Sequence, residues 1–381
     1  MCQQLNESPR AGILPICGEA GIQSRRDPPQ KGSLKEGGER VKRLSELDVL
    51  RGVAALSVFC YHYHLFKYGY LGVHLFFIIS GFVILMTAEN SRNASQFFVN
   101  RILRLLPVYW LCVSIAFGVR YFSNEAVGVK MYLVNLTMLQ EFLGVEKIDG
   151  VYWTLAEEWI FYGIIIVLLA ASNAKKNVVV ILFLLLLAFC GLLIDETATG
   201  HVREFRKACS YLGLFSAGML FYRMYSIMLR GSDRFKEYRA LEFAALLVTL
   251  FCALMITTQY RFGAYVHVPG YNSSSEAGII SVFFLTLCGV VFRVARAPSM
   301  KYLIVVGSFA GRISYPFYLL HCVVGKAIYA TLQRSCDIPP SCVLLTTFLL
   351  VVLMSYIMHI YIEVRFTRRV KSKFLSEKSP A

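Results

Sequence analysis

Residues 47–66 read LDVLRGVAALSVFCYHYHLF. The stretch has the apolar length of one bilayer crossing, about 20 residues. It nevertheless contains Asp48, Arg51, His62 and His64. An ionisable side chain in the hydrocarbon costs about 2.5–3.5 kcal/mol even on insertion scales, so such residues point to function. Arg51 and His62 stand eleven positions apart. At 3.6 residues per turn they share one helix face, with an axial offset of ~16 Å. That spacing predicts Arg51 near the membrane surface and His62 deep in the bilayer. Asp48, one turn before Arg51, is placed to orient it. His64 points away from His62. For His62 an interhelical hydrogen bond is the bland alternative.

Outward from this segment, further apolar runs predict spans near 70–89, 102–121, 154–172, 178–194, 208–226, 241–258, 277–295, 304–328 and 341–362. The expected fold is an all-α polytopic membrane protein of about ten transmembrane helices. Composition agrees: 56% of the 381 residues are hydrophobic and only 17% charged, against about 25% charged in soluble domains. The run Met131–Phe142 is too short to span and reads as interfacial or re-entrant. Residues 1–42 have no apolar periodicity and hold Arg25, Arg26, Pro28 and Pro29; they are expected to be a disordered cytoplasmic tail. They lack the apolar core of a cleaved signal peptide. The membrane region is expected over 43–366, with a basic cytoplasmic tail over 367–381.

The net charge of +15 would suggest nucleic acid in a soluble chain. Here Lys and Arg are better read as retaining cytoplasmic loops. Threading ten spans with the N-terminus inside puts most of the 39 Lys and Arg on the inner side. Both termini are therefore expected in the cytoplasm, in a cytoplasmic (inner) membrane, and no nucleic-acid partner is expected. The 11 Cys show no C-x-x-C spacing and read as free thiols. No metal site is expected, since His62 and His64 face apart and leave His74 without a set.

Three other blocks carry polar chemistry. Arg101 and Arg104, at i and i+3, are neighbours on one face. Their planar forks of donors suit phosphate groups, while topogenic charge is the simpler alternative; Pro107 after them predicts a kink. In WTLAEEWIFY (153–162), Glu158, Phe161 and Tyr162 share a face, and a carboxylate there is able to pair a cation or orient a histidine. In GRISYPFYLLHCVV (311–324), Ser314, Tyr318 and His321 fall on roughly one side, Tyr315 adjoins them, and Pro316 frees a backbone carbonyl. This span reads as the lining of a substrate cavity. Glu363 is expected to pair with a nearby arginine.

These blocks resemble the acyltransferase-3 family of membrane acyltransferases, which modify bacterial polysaccharides, lipids and some antibiotics. LDVLRGVAALSVFCYHYH, GVHLFFIISGFVI (72–84), FFVNRILRLLPVYW (97–110), WTLAEEWIFY and ISYPFYLLH (313–321) follow the family's order across about residues 44–366. The resemblance implies an acyltransferase-3-like bundle and an Arg51/His62 pair essential for transfer. It further implies that Arg101 and Arg104 serve an acyl-CoA donor, acetyl-CoA being the commonest, and that Glu158 fills the family's acidic position. Tyr315, Tyr318 and His321 then bind substrate. His74 and Glu157 depart from the family's usual residues. The expected partners are acyl-CoA, a carbohydrate or glycolipid acceptor and the lipid bilayer. The expected activity is O-acyl transfer to a sugar hydroxyl of an exopolysaccharide, lipopolysaccharide or lipid-linked glycan. A transporter or flippase of a glycolipid or small molecule is the alternative that intramembrane charge also fits.

Overall fold

A computed structural model describes residues 44–91, 93–171, 177–194, 200–230, 244, 245, 247–249, 273–291, 301–335 and 337–376. Among them the chain is all helical: α1 (Ser45–His62), α2 (Gly72–Glu89), α3 (Ala94–Phe122), the short α4 (Val129–Asn135), α5 (Trp153–Ala171), α6 (Asn177–Leu193), α7 (Gly200–Arg230), α8 (Ser273–Val291), α9 (Lys301–Leu320), α10 (Val323–Ser335), α11 (Pro340–Met358) and α12 (Thr367–Ser376). Two 3-10 turns precede α2 and α5, and a π-helical stretch, His359–Phe366, joins α11 to α12.

The chain is a membrane protein. Five described helical stretches, Gly69–Glu89, Ala94–Phe122, Gly150–Val167, Ser274–Val291 and Pro340–Val370, are long and apolar enough to cross a bilayer; Val180–Gly191 and Ile304–Leu320 are apolar but shorter. Most of the span expected at 241–258, and the expected tail at 1–42, lie outside the described residues. The span expected at 304–328 is two helices, broken at His321 and Cys322. The first helix also ends earlier than expected, on His62: the chain turns through Tyr63, and His64 takes φ 59°. His62 therefore stands at the far end of α1 rather than midway along a longer rod.

Small residues hold the bundle together. α1 runs along α9, and α2 along α7. A side chain on Gly311 would overlap the Asp48 carbonyl, and one on Gly218 would overlap that of Ile78. In lipid, where apolar surface gains little by leaving the solvent, such close backbone approach is what drives helix association. The α1–α9 contact seats the Arg51 end of α1 against Ala310 and Gly311 and its His62 end against His321. Helix α3 then touches α5, α9, α10 and the π-helical stretch, which brings its arginines to the same core.

Candidate active site

The expected residues fall into two groups at opposite ends of α1. The first gathers cations. Arg51 lies within electrostatic reach of Arg104, Asp48, Glu158 and Arg101. Arg101 is only 5% exposed. Its guanidinium donates to the Thr87 hydroxyl on α2 and lies 5.5 Å and 5.8 Å from the ring centres of Phe97 and Tyr162. The Glu158 carboxylate accepts from the Tyr162 hydroxyl and from the Ser80 hydroxyl at 3.2 Å. Three guanidinium groups thus face two carboxylates. The excess positive charge, held in a poorly solvated site, favours an anion. Glu158 is placed among the arginines, whose charge it offsets, and not against a histidine. Tyr315 joins this end: its hydroxyl donates to the Leu105 carbonyl at 3.0 Å, tying α9 to α3 beside Arg104.

The second group gathers imidazoles. The rings of His62 and His321 lie 5.1 Å apart, tilted by 53°. Tyr61 packs edge-on to His62 at 5.2 Å. His321 is 1% exposed. It follows the break between α9 and α10, where last-turn carbonyls lose their helical partners. Side chains take over that role. His321 Nδ1 donates to the Tyr318 carbonyl at 2.7 Å. The Tyr152 hydroxyl donates to the Leu319 carbonyl at 3.3 Å, and the Tyr63 hydroxyl to the His321 carbonyl at 3.1 Å. Tyr318 is spent on structure as well: its hydroxyl donates to the Val151 carbonyl at 3.1 Å and meets the Thr154 hydroxyl at 3.1 Å.

One residue of this end was missed in the sequence. Asp149 is fully buried. Its carboxylate accepts from the Val323 N–H at 2.8 Å, capping α10, and from the Val151 N–H at 3.1 Å, starting the turn into α5. Burial pushes its carboxyl up from the ordinary value, and the two backbone N–H groups pull it back. The sequence signal available was an Asp before a helix start. Its second bond reaches a residue 174 positions away, which no local pattern reveals.

Other polar residues fall elsewhere. His74 is buried on α2, edge-on to Tyr211 at 6.1 Å. Glu363 accepts from His359 Nδ1 at 2.7 Å within the π-helical stretch, rather than from an arginine. Among the described residues no group of three or more His, Cys, Asp or Glu is arranged to hold a metal. Cys60, Cys112, Cys190, Cys209, Cys288, Cys322 and Cys342 are free thiols.

The helix that joins these two groups begins at Ser45, and a family model described as an acyltransferase domain matches residues 44–360 of the chain. The chain belongs to this acyltransferase-3 family. It is an O-acyltransferase, so the transporter alternative falls away. Its similarity to a protein named as an acetyltransferase in Acidianus two-tailed virus is 25% identity over 300 residues, covering 73% of this chain and 82% of the relative. It is 32% identical over 93 residues to the peptidoglycan O-acetyltransferase OatA of Listeria monocytogenes, covering 22% of this chain and 15% of that protein. It is 28% identical over 112 residues to nodulation protein 10 of Rhizobium leguminosarum bv. viciae, covering 24% of this chain and 30% of that one. No solved structure matches the acyltransferase.

Proposed function

We propose that this acyltransferase moves an acyl group, acetyl in the first instance, from acyl-CoA to a sugar hydroxyl of an exopolysaccharide, lipopolysaccharide or lipid-linked glycan. The observation that carries this reading is the arginine group and the paired imidazoles standing at opposite ends of one helix. Acyl-CoA is a long molecule with phosphates at one end and a thioester at the other, and acyl transfer needs both ends held. The relatives' names, one of them a peptidoglycan O-acetyltransferase, support a glycan acceptor.

In this mechanism the donor's phosphates meet Arg101, Arg104 and Arg51, whose forks match phosphate oxygens. Glu158 spaces those cations and holds their geometry through Tyr162. The pantetheine arm runs along α1 toward His62. The acceptor hydroxyl arrives from the outer side, and His62 takes its proton as the oxygen attacks the thioester carbon. A relay through a covalent acyl-His62 is the alternative route. Tyr318 and His321 line the acceptor side, and Tyr315, held on the Leu105 carbonyl at the arginine end, lines the donor side. About ten spans, with both termini on the cytoplasmic face of the inner membrane, complete this picture and put the arginines on the side where CoA is found.

The decisive experiment is mass spectrometry of cell-envelope glycans with and without the gene, paired with transfer assays on purified protein. An O-acyl group that disappears with the gene and is not restored by His62→Ala is the expected result. An unchanged acylation profile rules out an envelope acceptor, and near-normal transfer by purified His62→Ala removes His62 from the reaction.

A further inference from the structure

His321 carries a feature that the proposed mechanism does not use. Its Nδ1 is bound to the Tyr318 carbonyl, which can only accept, so Nδ1 holds the ring's proton. In a neutral imidazole Nε2 is then a lone pair with no hydrogen. Nε2 is buried and meets no donor in the structure. A buried polar atom left this way calls for a reason. Charging the ring would bury a cation at a site that the exposed Lys326 already makes more positive. The ring across from it is His62, 5.1 Å away between centres. Neighbouring acceptors are already engaged: Asp149 by two backbone N–H groups, and the Tyr318 hydroxyl by Thr154 and Val151.

We propose that His321 is a positioning residue for His62: its Nε2 accepts the N–H of His62 when substrates close the site, and so fixes which His62 nitrogen faces the acceptor hydroxyl. The inference rests on the function proposed above and adds to it a tautomer and an orienting partner. A base held by a third group is the arrangement that makes an imidazole effective. Catalytic hydrogen bonds are commonly long before substrates bind and tighten in the complex. The transfer then balances. The hydroxyl proton goes to the free nitrogen of His62, while the other nitrogen keeps its hydrogen and shares it with His321. The hydroxyl oxygen bonds to the thioester carbon, the carbon–sulfur bond breaks, and the departing thiolate takes the proton back from His62. His321 never leaves its neutral form, because Tyr318 holds its own hydrogen throughout.

Two substitutions separate the atoms of this ring. In His321→Gln the amide sits near the place of Nε2 and retains an acceptor there. In His321→Asn the amide sits near Nδ1, keeping the bond to Tyr318 but losing the acceptor toward His62. In purified protein with acetyl-CoA and isolated envelope glycan, the Asn variant is expected to lose kcat by on the order of 100-fold, with KM for both substrates within threefold. The Gln variant is expected to stay within fivefold of wild type. An Asn variant as fast as wild type overturns the proposal, and so does a folded Gln variant as slow as the Asn one. Should the Asn variant fail to fold, the Gln variant decides alone: folded and slow overturns, folded and active supports. The functional reading fails on a different observation, wild-type protein that releases no CoA from acetyl-CoA with any glycan, and the proposal would go with it.

Discussion

The two ends of α1 solve opposite problems. At the Arg51 end the side chains are charged, and their mutual repulsion is offset by Asp48 and Glu158. At the His62 end the groups are imidazoles and hydroxyls with one buried acid, Asp149, and the difficulty is a broken helix whose loose backbone groups are hydrogen-bonded by Tyr63, Tyr152, His321 and Asp149. The first end is built to hold something that brings charge with it. The second is built to hold imidazoles still. Under the proposed mechanism the difference separates binding from chemistry along one rigid element, so each is open to disturbance without the other.

The largest way to break that separation is to unseat the rod itself. Gly311→Val forces a side chain into the Asp48 carbonyl and is expected to leave no folded protein, read as loss of a monodisperse peak in detergent. His62→Ala should sharpen the contrast instead. Transfer is expected to fall by about 10³-fold, with CoA affinity in calorimetry unchanged within threefold. Arg104→Ala is the converse. Each lost charge-assisted hydrogen bond is worth about 1.5–3 kcal/mol, so CoA affinity should drop by roughly 10–150-fold while kcat at saturating donor changes little. An Arg104→Ala variant whose kcat collapsed with CoA affinity intact would erase the distinction between the two ends.

Smaller effects test the scaffold. Asp149→Asn leaves one backbone N–H in the α9–α10 break without its acceptor, at a cost of about 1–3 kcal/mol, measured by thermal unfolding. It should also slow transfer, though less than His62→Ala. The sign of its pH effect follows from burial. A carboxyl raised in the folded state makes stability fall as pH climbs from the unfolded carboxylate range through the folded value, and the Asn variant should flatten that slope. Least of all is Arg120→Ala. Arg120 pairs Glu125 at 2.6 Å and Glu146 at 3.2 Å, but those partners are 50% and 71% exposed. A loss of at most about 1 kcal/mol is expected, with transfer unaffected.

What the sequence made legible was local. The shared face of Arg51 and His62 follows from helical repeat alone, and the Glu158–Tyr162 bond from i,i+4 spacing. The motif order carried the family. Three things escaped, the first two because they depend on contacts between distant segments. Nothing at His321 or Cys322 interrupts the apolar run from 304 to 328, so the break there was invisible; it exists because Asp149 and three aromatic or imidazole side chains satisfy its backbone. Glu158 was readable as a partner for either a cation or a histidine, and only the packing of α5 near α3 assigns it to the arginines. The early end of α1 is set by a turn at His64, whose positive φ a histidine tolerates better than most residues.

A helix cannot stretch, and this gives α1 a further meaning. Under the proposed mechanism its eleven-residue interval works as a gauge of ~16 Å, stamped into the backbone and independent of loop motion. A carrier shorn of its nucleotide, reduced to the thioester arm alone, would still reach the imidazole but would lack an anchor at the far mark. Slow turnover with a truncated donor, at concentrations far above those that saturate with the full one, is the behaviour such a gauge dictates.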